Sequence, residues 1–206
     1  MTHPDKVSSE LVEQVAREVA EFAYKALPQP PSMTEGASLN FTTTPKITST
    51  LTIWSLKPSA LETLAQTGLE GDLSEWAQQT PLLHHQVEWS NHPAGFVRSQ
   101  REPRDEKSVV QINISTSESR LQRALDAVTE NDIEDDFTDR DPVMRLFEVP
   151  SYQLTAIWLF DEPQRESRIG VISAPKRYEG LRQNQLLDSS EFFNALRTGG
   201  PLTGVT

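Results

Sequence analysis

The segment Tyr152–Phe160 constrains this chain most, because Ala156 to Phe160 form its longest uninterrupted apolar run. Five apolar residues in succession leave neither side of a strand polar. Such a strand must be buried on both faces and belongs inside a sheet. The run is far shorter than the roughly 20 residues that span a bilayer, so no membrane insertion is expected. The first residues, Met1-Thr2-His3-Pro4-Asp5-Lys6, lack a basic region followed by an apolar one. The expected compartment is therefore the cytoplasm.

Further strands are expected at Ile47–Leu56, Leu83–Trp89, Val109–Ser115 and Arg168–Ala174, from their β-branched and aromatic content. In the third, Val110, Ile112 and Ile114 alternate onto one face. Residues 90–107, with Pro93, Gly95 and Pro103, read as a long polar loop. Helices announce themselves by period and by caps. Leu11, Val15, Val19, Phe22 and Ala26 recur at steps of three and four, and Pro28, Pro30 and Pro31 end that helix. Ser59 with Glu62, Asp72 with Glu75, Ser115 with Glu118 and Asp188 with Glu191 carry the spacing of a capping box. They predict two short helices closed by Gly68 and Pro81, a third with Leu121, Leu125 and Val128 buried, and a last one in which Phe192 or Phe193 enters the core.

This order implies an α+β fold with a mixed or antiparallel sheet and helices on one face. One arrangement is a ferredoxin-like β-α-β-β-α-β core with an added strand and N- and C-terminal helices. The expected organisation is an amphipathic helix over 1–27, a Pro/Ser/Thr-rich linker over 28–46, a single α+β domain over 47–200 and a tail over 201–206.

The 206 residues carry 19 Lys and Arg against 30 Asp and Glu, a net charge of -11. That balance disfavours nucleic acid as a partner. Charge is also uneven. Between Glu130 and Asp141 seven acids face only Arg140, a net -6, and Asp135 and Asp136 lie at the centre of this run. From Arg165 to Arg182 the balance is +3. There Lys176, Arg177 and Tyr178 follow a strand end and form a candidate anion site, with the cations pairing a phosphate and the phenol ring stacking.

The chain has no cysteine, which excludes disulfides, thiolate metal sites and a cysteine nucleophile. It contains no G-x-S-x-G, H-E-x-x-H, Walker or dinucleotide-binding pattern. His84 and His85 would point to opposite faces of one strand, and His84 and Glu88 would lie about 13 Å apart along it. No metal site, cofactor or catalytic residue is therefore expected.

Three functional readings follow. The first is an acidic, non-catalytic protein-interaction factor: an assembly factor, adaptor or chaperone. Its partner would be a protein with a basic patch or hydrophobic groove, met by Leu11, Val15, Val19 and Phe22 on the first helix and by Asp135 and Asp136. The second is a small-molecule enzyme with His85 as acid or base and Arg177 and Tyr178 as its anion site. The third is a small-ligand sensor on the same scaffold.

Overall fold

A computed structural model describes residues 6–26, 45–89, 92–103, 107–114, 121, 142–181 and 186–201. The elements are α1 (Ser9–Ala26), β1 (Lys46–Leu56), α2 (Pro58–Gln66), α3 (Leu73–Trp76), β2 (Ala77–Trp89), β3 (His92–Gln100), β4 (Val109–Ile114), β5 (Val143–Val149), β6 (Leu154–Asp161), β7 (Glu166–Ser173), β8 (Leu186–Leu187) and α4 (Ser189–Gly199). A 3-10 turn, Pro150–Tyr152, joins β5 to β6. The fold is α+β. Its sheet is mixed, with strand order β4-β3-β2-β1-β5-β6-β7-β8.

Strands β2, β3 and β4 pair antiparallel in sequence order, as do β5 to β8, while β1 and β5 run parallel. The interleaved strand order of a ferredoxin-like core is not formed. Two strands that the sequence pattern concealed, β3 and β5, account for this. No helix among the described residues is long and apolar enough to cross a membrane. The chain divides into two compact units, Met1–Thr52 with Pro81–Ser119, and Ile53–Thr80 with Arg120–Thr206.

In the first unit, Leu11, Val15, Val19 and Ala23 of α1 pack on Leu83, Val87, Trp89 and Val97. These four helical residues form a strict i+4 row. Ala23 takes the inner position at its end, and Phe22, a hundred degrees round the helix, is left 44% exposed. Leu11, Val15 and Val19 are thus core residues of their own unit, a correction to their expected role in binding a partner. Full burial of each such side chain contributes about 1.5–3 kcal/mol.

Strand β3 lies where a loop was expected. Pro93 opposes Glu88 at a register shift after Val87, and Gly95 has φ of 114°. A bulge lets the strand carry a proline that a regular ladder would exclude. Beyond it, Gly95, Val97 and Ser99 are buried, whereas Phe96, Arg98 and Gln100 are half-buried. A second bulge pairs Arg98 with Gln111 and Ser99 with Val109. Val110 is passed over and stands 51% exposed, so Val109 replaces it on the inner face.

The second unit has its core between Phe147, Val149, Ala156, Trp158, Ile169 and Val171 on the strands and Ala60, Leu64, Leu73, Phe192, Phe193 and Leu196 on the helices. Both Phe192 and Phe193 are buried. In β6, Ile157 and Leu159 are buried on the side opposite Ala156 and Trp158, as the unbroken apolar run demands. Helix α2 starts at Pro58 with no side-chain cap. Proline suits that first turn without a box, so the Ser59–Glu62 pattern is not used as one. Asp72 does cap α3. That helix is a single turn, and Ala77 already begins β2, with Pro81 inside the strand. Asp188 and Glu191 form a complete capping box on α4. Leu121 is helical and buried; the rest of that expected helix, residues 28–44 of the expected linker and the Ser115–Glu118 pattern lie outside the described residues, and Lys46, expected in the linker, already opens β1.

Candidate functional site

The two adjacent histidines are buried on opposite faces of β2, as alternation requires. His85 is fully buried, with Nδ1 at 2.9 Å from Thr50 Oγ1 and Nε2 at 2.8 Å from Ser99 Oγ. Burial pushes its pKa down to about 4. Both ring nitrogens are occupied and solvent is excluded, which suits packing rather than acid–base work. His84 stacks on Phe96, with centroids 4.9 Å apart. Burial, with charge from Arg98 and His85, pushes its pKa down to about 3. Among the described residues, no group of three His, Asp or Glu side chains stands ready to hold a metal ion.

In the basic segment after β7, two residues bond to the chain itself. Arg177 donates to the Tyr178 hydroxyl and to the Gly200 carbonyl, both at 2.8 Å, and Tyr178 donates to the same carbonyl at 2.8 Å. The Tyr178 ring is buried against Tyr152. That burial removes the ring from the stacking role expected of it, while Lys176 and Arg177 are exposed. Asp135 and Asp136 lie outside the described residues.

Arg145 is a feature that the sequence reading passed over. Its side chain is 2% exposed, and its guanidinium lies 4.3, 4.5 and 4.7 Å from the ring centres of Trp54, Trp158 and Phe160. The partly exposed Glu162 stands 3.7 Å away. An arginine alternating into an apolar strand was the available signal. Trp54 itself meets Trp158 edge-on at 5.3 Å.

Below that box runs a polar network centred on Asp72. Its Oδ1 accepts from Ser74 N and Ser167 Oγ, both at 2.8 Å, and its Oδ2 accepts from Ser189 Oγ at 3.2 Å. Trp158 Nε1 donates to Ser167 Oγ at 2.9 Å, and Leu73 N donates to Ser189 Oγ at 2.9 Å. The network fixes the chain just after Gly71 to the chain just before Ser190.

Those two points are the walls of a cleft of about 310 Å³, lined by the loop Thr67–Gly71 and by Ser190, Phe193, Asn194 and Arg197 of α4. Ser190, Asn194 and Arg197 follow one another at i, i+4 and i+7, hence on one helical face. The loop turns at Gly68 and Gly71, whose φ values are 90° and 84°. A Cβ at Gly68 would stand 3.3 Å from Arg197 Cδ and Nη1, so the arginine arm lies across that glycine. The side chains of Ser190, Asn194 and Arg197 make no hydrogen bond or ion pair among the described residues. A second, shallower cleft of about 390 Å³ adjoins Gly71 and Ser190. Its central groups are already engaged: Asp72 in the network, and Arg168 with Glu166 at 2.8 Å.

No family model, curated protein or solved structure matches this chain. The cleft beside α4 therefore rests on its own chemistry. Sequence reasoning found its elements, through Gly68 and the Asp188–Glu191 box, but not its residues. Ser190, Asn194 and Arg197 belong to no motif that singles them out in the sequence.

Proposed function

We propose that this chain is a small-ligand-binding protein, a sensor without catalysis of its own, and that the cleft beside α4 is its site. The observation that carries this reading is the row Ser190, Asn194 and Arg197. These three side chains face a cavity of about 310 Å³ with no partner among the described residues. A guanidinium offers a planar fork suited to a carboxylate or phosphate. A serine hydroxyl and a carboxamide beside it can orient the rest of a small polar molecule. The Asp72 network holds both walls in place before any ligand arrives, which lowers the ordering cost of binding.

The test is native mass spectrometry of the protein taken from its own cells, with melting curves in a panel of small carboxylates and phosphates. A bound small anion, or a melting shift that Arg197→Gln abolishes, supports the site. Shifts that survive Arg197→Gln reject it.

The interaction-factor reading keeps one supporting observation. Phe22 is 44% exposed on α1. A protein partner with an apolar pocket would suit it. Copurification at low salt, lost on Phe22→Asp, would favour it over the sensor.

A further inference from the structure

We infer that the cleft beside α4 selects a free α-amino acid, a zwitterion whose carboxylate meets Arg197 and whose ammonium meets Glu70. The inference rests on the ligand-binding reading of the same cleft. Glu70 and Arg197 both line it. Both side chains are exposed, and neither is ion-paired or hydrogen-bonded among the described residues.

The structure places the backbone of the one and the arm of the other. The Glu70 carbonyl accepts from Trp76 Nε1 at 2.7 Å, which fixes the backbone of that residue. The Arg197 arm lies across Gly68, where a Cβ would meet it at 3.3 Å. A plain anion drawn to Arg197 would also meet the Glu70 carboxylate and be disfavoured by it. A ligand carrying an ammonium turns that repulsion into attraction, so Glu70 discriminates between the two. Ser190 and Asn194 supply neutral hydrogen-bonding groups.

The experiment is calorimetric titration of the full chain with L-alanine, L-valine and L-leucine, with their N-acetyl derivatives, with their amides and with the corresponding dipeptides. The free amino acids should bind. Acetylation removes the ammonium and amidation removes the carboxylate, and either should weaken binding at least tenfold. Glu70→Gln should abolish the discrimination against N-acetyl derivatives, and Arg197→Gln should abolish binding of the free acids. Both residues are surface positions outside the core, and circular dichroism would verify the fold of the variants.

Equal binding of N-acetyl and free forms, unchanged by Glu70→Gln, overturns the zwitterion while leaving an anion site at Arg197. Tighter binding of the dipeptides overturns the free amino acid in favour of a peptide. No binding of any free amino acid at millimolar concentration overturns the inference, and the anion panel then decides the wider reading by itself. Binding that ignores Arg197→Gln overturns both.

Discussion

Glu18 Oε1 accepts two hydrogen bonds from Ser108, from the backbone nitrogen and from Oγ, each at 2.8 Å. Its other oxygen accepts from Val109 N at 2.9 Å. One carboxylate on α1 thereby closes the start of β4. Burial alone would raise the pKa of Glu18, but these bonds outweigh it and hold the group below the usual carboxylate range. Hydrogen bonds to a charged group contribute about 1.5–3 kcal/mol. Glu18→Ala should cost on the order of 2 kcal/mol in urea denaturation. A variant as stable as the parent would show that the bonds add nothing.

The inner and outer faces of α1 should respond unequally to the same change. Val19 is fully buried in its unit, and a carboxylate there has no partner. Val19→Asp should unfold the first unit or cost about 3–5 kcal/mol. Phe22→Asp, on the exposed side, should stay within about 0.5 kcal/mol. Circular dichroism melts of the two variants read this directly, and equal losses would contradict the packing described.

Acid should weaken the fold in a window set by His84 and His85. Their folded pKa values, about 3 and about 4, lie below the ordinary 6.5. Between pH 6.5 and about 4 the unfolded chain therefore holds protons that the folded chain lacks. The contribution is fully present above pH 6.5 and falls away as pH drops. Each histidine adds a slope of about 1.4 kcal/mol per pH unit in that range. His84 Nδ1 is buried with no partner among the described residues. His84→Phe removes that orphaned nitrogen but also the partner of the buried Gln86 amide, 3.2 Å from His84 Nε2, and should flatten the acid limb by about one proton. Denaturation midpoints across pH 4–7 give the answer, and an unchanged slope would refute it.

Arg145 should resist replacement by lysine. The flat guanidinium touches three rings at once, whereas an ammonium is a compact charge that cannot stack. Arg145→Lys should cost about 1–2 kcal/mol and alter the near-ultraviolet circular dichroism of Trp54 and Trp158. An unaltered spectrum at parental stability would remove the box from the account.

Periodicity made much of this legible. The run at Ala156–Phe160 predicted a strand buried on both faces, and the steps of three and four in α1 predicted an inner stripe in which Leu11, Val15 and Val19 are buried but Phe22 is exposed. Asp188 and Glu191 marked the start of α4 by local chemistry alone. What escaped the sequence lay in irregular backbone and in distant pairing. The bulges at Pro93 and Val110 break the two-residue period on which a strand is recognised, so β3 read as a loop and Val110 as an inner residue. Residues 143–149 showed no pattern distinct from their acidic surroundings. Partner choice was hidden too. Nothing local to Tyr178 announces that Gly200 takes its hydroxyl, and nothing local to Arg197 announces the cavity it faces.

The outermost strands of the sheet order, β4 and β8, have a bearing on pairing between chains. Strand β8 is two residues long, and β4 is broken by the bulge at Val110. Among the described residues, neither offers a long, regular ladder, so a second chain pairing edge to edge would find only a two-residue strand or an interrupted one to build on.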